Sequence, residues 1–365
     1  MAEGTPVPAG TVPADPEPVS IGTEPVELLA AHTTLRVGGP VRRLLAPATE
    51  AELVETVRRL DAAGEPVLVL GGGSNVLVGD AGFDGTVVKV VTRGIDSDVA
   101  SCSGAVLTVA AGEPWESLVD HTLEHEYAGL ETLAGIPGLV GGTPIQNVGA
   151  YGTEVGQLIT TVRTLDRSTG SIRTFFAVEC RFGYRSSRFK SEPGRYLVLS
   201  VTFQLRLGSL SAPIRYPELA RALGVELGAR APAREVAEAV LGLRRSKGMV
   251  LDEADPDTWS AGSFFTNPLL DAEAAAALPP DAPRFPQPDG RVKTSAAWLI
   301  ERAGYGKGYG DGPAQVSSKH SLALTNRGGA AAADLLDLAR RVRAGVQQSF
   351  GITLVPEPVL VGCAL

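Results

Sequence analysis

Apolar residues recur at helical spacing at Leu53, Val57 and Leu60, behind a Thr49/Glu52 pair three positions apart. The pattern predicts a helix opened by a capping box and closed before Gly64. Residues 66–70 form a short apolar run of strand type that ends in Gly71-Gly72-Gly73, and 86–91 and 106–111 have the same character. Pro114 predicts the start of a helix with Trp115, Leu118, Val119 and Leu123 on one side. Residues 158–206 are mostly strand-like. Within them Leu197, Leu199, Val201, Phe203 and Leu205 alternate with mostly polar partners, as a half-buried strand requires. Val236, Val240 and Leu243 predict a helix over 234–247, and Trp298 and Leu299 lie in another. Leu335, Ala339, Val342 and Val346 define a long helix that Gly351 ends. Residues 352–361 are strand-like but broken by Pro356 and Pro358. The alanine runs at 274–277 and 330–333 fit helical turns or exposed linkers. The expected class is α+β: a strand–helix unit, a sheet-rich middle and a third segment.

Length makes this more than one domain: 365 residues exceed what a single core usually serves. Hydrophobic residues make up 44% of the chain and charged ones 20%, enough apolar material for sizeable cores. The 33 Lys and Arg against 41 Asp and Glu give a net charge of −8, which argues against nucleic acid as a partner. The 43 Gly and 26 Pro imply many turns and close backbone approaches. Proline clusters at positions 6, 8, 13, 16 and 18, so residues 1–22 are expected to be a disordered tail. The three cysteines, Cys102, Cys180 and Cys363, are too scattered for a disulfide framework, and no metal site is expected. No apolar run reaches the ~18 residues of a membrane helix, and no basic n-region precedes Arg36. A cytoplasmic protein without membrane insertion is the expectation.

Two glycine-rich segments carry candidate chemistry. In the first, a strand runs into Gly71-Gly72-Gly73-Ser74-Asn75-Val76-Leu77. Bare backbone there can point N–H groups at a phosphate. The dinucleotide fingerprint fails because Val76 stands where the last glycine belongs, and no Walker lysine follows. A strand-terminating turn is an equal reading of that loop alone. The second spans residues 135–152, with glycine at 135, 138, 141, 142, 149 and 152 among apolar residues. It is too apolar for a surface linker, and backbone pressed against a flat or charged ligand explains it better than irregular turns.

Five motifs occur in order: the Gly71 loop, the Gly135 segment, Arg181-Phe182-Gly183-Tyr184-Arg185, Ala261-Gly262-Ser263-Phe264-Phe265-Thr266-Asn267-Pro268 and Pro356-Glu357-Pro358. Together, over about residues 25–362, they resemble the UDP-N-acetylenolpyruvoylglucosamine reductase family. Ile214-Arg215-Tyr216-Pro217-Glu218-Leu219 is similar to the subtype whose extra tyrosine loop covers the substrate. The resemblance implies a flavin-binding fold of the vanillyl-alcohol-oxidase type with a C-terminal α+β substrate-binding domain. Implied boundaries are 23–91 plus 351–365 for a first FAD-binding subdomain, 92–231 for a second and 232–350 for the substrate domain. FAD would be held non-covalently, by Gly71, Gly72, Gly73, Ser74, Asn75, Ile136, Pro137, Gly138, Gly142, Thr143 and Ile145. Arg244 is either a cation near the flavin pyrimidine edge or helix-surface charge. His32 and the cysteines then need no flavin linkage. A monomer is expected.

The implied reaction reduces the enolpyruvyl ether of a UDP-sugar to a lactyl ether, with NADPH as hydride donor to FAD. Negative charge must drain into the substrate carboxylate, and the carbon beside it needs a proton. The resemblance gives Arg185 the carboxylate, Glu357 the enol form and Ser263 the proton. Taken singly, Arg185 also reads as a surface ion pair, Ser263 as a helix cap and Glu357 as a turn residue. Tyr184, Tyr216, Lys247 and Asn267 match substrate-binding positions. The chain departs from the family at Phe285, where a tyrosine can stand, and at His320, which replaces an amide. An insertion near 305–309 leaves the role of Lys307 open. The alternatives are another FAD-dependent sugar or hydroxy-acid oxidoreductase of the same fold, and a catalytically inactive nucleotide- or sugar-binding protein, which would be expected to lose Arg185, Ser263 or Glu357.

Overall fold

The computed structural model describes Met1, residues 27–102 and residues 104–365. Beyond Met1, the tail expected over residues 1–22 lies outside the described residues.

Strand β1 (Val41–Leu45) leads into helix α1 (Glu50–Ala62), followed by β2 (Val67–Leu70), β3 (Val76–Val78) and β4 (Phe83–Lys89). The order β1-β4-β2 is parallel throughout. Central β4 buries Thr86, Val87 and Val88 completely, as a strand covered on both faces does. The capping box opens α1 as the sequence predicts: Thr49 accepts the Glu52 N–H, and the Glu52 carboxylate accepts the Thr49 N–H. Such a cap stabilises a helix start by about 1 kcal/mol. Leu53, Val57 and Leu60 face the core.

A larger antiparallel sheet follows. The elements of this part are β5 (Ile95–Ala100), β6 (Gly104–Ala110), α2 (Trp115–Glu124), β7 (Tyr127–Ala128), α3 (Thr143–Gln146), β8 (Gly149–Ala150), β9 (Thr153–Glu154), β10 (Ile159–Asp166), β11 (Ser171–Phe176), α4 (Arg188–Ser191) and β12 (Tyr196–Leu207), of which β8 and β9 pair only with each other. The sheet order is β11-β10-β12-β6-β5, and β7 pairs the end of β12. The strand pattern over 158–206 therefore resolves into three strands, interrupted over 177–195 by turns and α4. In β12, residues 196–199 are all buried, and from Leu199 through Val201, Phe203 and Leu205 burial alternates, which fixes its register against β6 and β10. Helices α5 (Pro217–Leu223) and α6 (Ala233–Ser246) complete this part. The buried face of α6, with Val236, Ala237 and Val240, joins the same core.

The third segment holds β13 (Leu269–Leu270), α7 (Ala272–Ala277), β14 (Phe285–Pro286), β15 (Val292–Lys293), α8 (Ala296–Arg302), β16 (Ala314–Val316), β17 (Leu324–Asn326) and α9 (Ala332–Phe350). Gly351 ends α9 in a left-handed conformation at φ 71°, the standard helix stop. Phe264, Phe265, Leu299, Leu335 and Val342 share a core with Leu35, Val37 and Leu77 from the first unit. Strand β18 (Val359–Val361) then pairs in parallel with β3. The strand expected over 352–361 shortens to these three residues, because Pro356 and Pro358 have no N–H to give. Among the described residues no helix is long and apolar enough to cross a membrane.

Candidate active site

The two glycine segments meet face to face. A Cβ on Gly72 would lie 2.9 Å from the Gly138 Cα, and one on Gly138 would lie 2.7 Å from Ser74 Oγ. Ser74 Oγ donates to the Pro137 carbonyl at 3.1 Å, tying the loops together. Gly73 has φ +64°, and a Cβ there would meet the His32 carbonyl oxygen at 1.9 Å, so only glycine fits. By contrast, a Cβ on Gly142 would meet nothing within 4 Å. Ile136 is half-buried against the large core. Thr143 is buried and donates its hydroxyl to the Val140 carbonyl at 2.8 Å, so it shapes the loop. The Ile145 carbonyl accepts from Ser187 Oγ at 2.7 Å.

Arg244 is not helix-surface charge. Its Nε donates to the Gly135 carbonyl at 3.2 Å and its Nη2 to the Met249 carbonyl at 2.8 Å. Burial pulls its basicity down, and it has no ion pair among the described residues. A half-buried guanidinium lying against the second glycine segment, with the Glu116 carboxylate nearby but not ion-paired to it, leaves positive charge for an anionic ligand. Paired bare-backbone loops beside this cation suit a dinucleotide such as FAD.

Both segments lead to Glu357. Its carbonyl accepts from Asn75 Nδ2 at 3.4 Å and from Gln146 Nε2 at 3.4 Å, and Gln146 Nε2 also reaches Oε1 at 3.3 Å. Arg185 Nε stands 2.8 Å from Glu357 Oε1. Its N–H points off the carboxylate and finds no acceptor, so this is an ion pair with a donor still unspent. Arg185 Nη2 donates to the Gly149 carbonyl at 3.0 Å. Arg185 itself has φ +48°, a left-handed conformation that costs about 1–2 kcal/mol for a residue with a Cβ.

Ser263 reaches the same place through the backbone. The Glu357 N–H donates to the Phe264 carbonyl at 2.8 Å, and Phe265 bridges Pro356. This puts the Ser263 segment beside the Glu357 segment, 94 positions on in sequence. Ser263 is half-buried, and its hydroxyl has no hydrogen-bond partner among the described residues. The hydroxyl of Tyr184 accepts the Asn267 N–H at 3.4 Å, and Asn267 Oδ1 accepts the Ala296 N–H at 2.9 Å. Lys293, which faces Phe285 across a two-strand pairing, places Nζ 4.5 Å over the Tyr184 ring.

A second group collects positive charge. Lys247 is not a free cation, because Glu218 holds its ammonium at 2.6 Å. It also lies 5.8 Å over the Tyr151 ring, whose edge meets Tyr216 at 5.4 Å. Burial pushes the Tyr151 hydroxyl up to about 12. Burial first, then Lys247, Lys307 and Arg244, pulls His320 down to about 4, with Glu218 opposing. Lys307 therefore belongs to the same positive neighbourhood. Sequence reasoning missed Gln146, Lys190, Glu218 and Lys293. None carries a local signal: the partners of Gln146, Glu218 and Lys293 lie in other segments, and Lys190 bonds a backbone carbonyl. Asp, Glu, His and Cys form no metal-holding cluster among the described residues.

Residues 41–175 match the FAD binding domain and residues 255–361 match the UDP-N-acetylenolpyruvoylglucosamine reductase C-terminal domain. The UDP-N-acetylenolpyruvoylglucosamine reductase of Cutibacterium acnes is 61% identical over 340 residues, which cover 92% of this chain and 90% of that one. The chain belongs to the UDP-N-acetylenolpyruvoylglucosamine reductase family. The reductase of Streptomyces coelicolor is 55% identical over 348 residues, covering 92% of this chain and 90% of its own. The crystal structure of the reductase from Thermus caldophilus superposes with a TM-score of 0.62 at 28% identity, over 92% of this chain and 99% of that one. As a member of the reductase family, the chain is an FAD-dependent oxidoreductase of peptidoglycan precursor synthesis that works with NADPH.

Proposed function

We propose that the chain reduces the enolpyruvyl ether of UDP-N-acetylglucosamine-enolpyruvate to UDP-N-acetylmuramate, with Arg185, Glu357 and Ser263 in the reacting site. The observation that carries this is the Arg185–Glu357 pair, anchored through Glu357 to both glycine loops. When bound, the flavin supplies hydride to the terminal vinyl carbon. The unspent Arg185 Nε–H and its fork take the substrate carboxylate, where charge from the alkene accumulates. Glu357, ion-paired with Arg185 and an acceptor toward Gln146, stabilises the enol form of that carboxylate. Ser263, with no hydrogen-bond partner of its own, gives the proton to the carbon beside the carboxylate.

Gly71, Gly72, Gly73, Ser74, Asn75, Ile136, Pro137, Gly138, Gly142, Thr143, Ile145 and Arg244 hold FAD without a covalent link. Tyr184 and Asn267, which hydrogen-bond each other, position the sugar end. Tyr216, on an exposed loop edge against Tyr151, closes over the diphosphate as in the tyrosine-loop subtype, and Lys247 is handed from Glu218 to the phosphates. NADPH, not NADH, is the donor. The enzyme acts as a cytoplasmic monomer.

Anaerobic half-reactions test the reading. Ser263→Ala should leave flavin reduction by NADPH near normal and slow reoxidation by the enolpyruvyl sugar nucleotide by orders of magnitude. Unchanged reoxidation removes Ser263 from the mechanism.

A further inference from the structure

Arg185 occupies the third position of a tight turn. Ser186 N–H donates to the Gly183 carbonyl at 3.1 Å, and Gly183 N–H returns to the Ser186 carbonyl at 3.0 Å. Tyr184 is not among the positive-φ residues, whereas Arg185 is, at φ +48°. That combination matches a type II turn, whose third position favours glycine. Something must keep an arginine there.

The turn is held from two sides. Asn147 Nδ2 donates to the Gly183 carbonyl at 2.9 Å. Lys190 Nζ donates to the Arg185 carbonyl at 3.0 Å. Lys190 sits on α4, a helix of one turn that is itself tightly fixed. Ser187 caps it by accepting the Lys190 N–H at 3.2 Å and is bound to Ile145 of the second glycine segment. Phe189 is buried against the rings of Phe175 and Tyr196. The half-buried Lys190 ammonium forms no ion pair among the described residues, and its one hydrogen bond goes to a neutral backbone carbonyl.

We infer that Lys190 is a positioning residue for Arg185: its ammonium locks the Arg185 carbonyl, and so the left-handed turn that aims the guanidinium at Glu357 and the substrate carboxylate. The inference rests on the role proposed above for Arg185. Without the lock the turn relaxes to negative φ, and the fork swings off line. Burial lowers the Lys190 basicity, the nearby Glu357 carboxylate opposes this, and the Arg185 guanidinium adds to the lowering. A displacement of about 1 Å in a reacting group is enough to cost on the order of 100-fold in rate.

The test uses the full FAD-loaded chain and separate half-reactions. Lys190→Met should lower the rate of reoxidation by the enolpyruvyl sugar nucleotide about 10- to 100-fold, with flavin reduction by NADPH and the flavin spectrum unchanged. Lys190→Arg, which keeps a charged donor, should recover to within about threefold of the parent rate. In an Arg185→Ala background, Lys190→Met should add no further loss, because both act through one group. Normal reoxidation in Lys190→Met beside a slow Arg185→Ala overturns the inference alone. So does full additivity of the two changes, or a Lys190→Arg variant as slow as Lys190→Met. A silent Arg185→Ala overturns the role of Arg185 and, with it, this inference.

Discussion

Replacing Arg185 by lysine exchanges a planar fork for a point charge at a site built around two separate contacts, with Glu357 and with Gly149. Arg185→Lys should lower kcat for substrate turnover by at least about 100-fold while NADPH still bleaches the flavin. Stopped-flow absorbance checks both halves. His320 makes a separate prediction. Its folded pKa lies at about 4 against 6.5 for the free side chain, so between those values the unfolded chain binds the extra proton. Stability must then fall as pH drops from about 6.5 to about 4, by about 2 kcal/mol once solvent screening at a half-buried ring is allowed for. Urea unfolding at several pH values should show this slope, and His320→Gln should flatten it. The residues proposed for the reacting centre could be brought together from sequence only through the order of five motifs. Nothing local in Ser263 or Glu357 points to the other. Lys190 was not legible at all, because its function lies in a backbone carbonyl five positions back.

At the scale of elements, the paired glycine loops are the most sensitive feature. An alanine at 72 would drive its methyl toward the Gly138 backbone, which cannot swing away as a side chain could. Gly72→Ala should therefore part the loops and weaken FAD retention by about tenfold or more, read as flavin released during gel filtration. Phe189→Ala should remove about 3–5 kcal/mol of packing from the Phe175–Tyr196 cluster, seen as a lowered Tm. Helices with clear apolar stripes, α1, α2 and α6, could be placed from sequence to within a residue or two, and α9 only at its Gly351 end. The sheet was less readable. β5 exposes most of its side chains, so no alternation marks it. β1 and β3 are short, and α4 is a single turn whose stability comes from Ser187 and Phe189 packing elsewhere.

At the scale of the molecule, the first unit and the third segment are stitched together by buried polar contacts as well as by a shared core. Asn326 Nδ2 donates to the Leu35 carbonyl at 3.1 Å and the Arg36 carbonyl at 3.3 Å, and Thr34 Oγ1 donates to the Ser260 carbonyl at 2.7 Å. Asn326→Ala leaves those two carbonyls unsatisfied and should cost about 1–3 kcal/mol in chemical denaturation, with little change in the reacting centre. The return of the chain to the first unit follows from the resemblance, but not from hydropathy, which shows no sign of which strand β18 will find. The net charge of −8 argues against nucleic acid, yet Arg244, Lys247 and Lys307 gather in one place. Local sign, not total charge, decides which anions are admitted. The Asn75 contact with Glu357 spans 282 positions and the Gln146 contact spans 211. Closing loops of that length is entropically slow, and helices and local hairpins form long before. Refolding from denaturant should therefore regain far-ultraviolet ellipticity well ahead of flavin binding and turnover. The interval between the two signals would time the final closure of the chain upon itself.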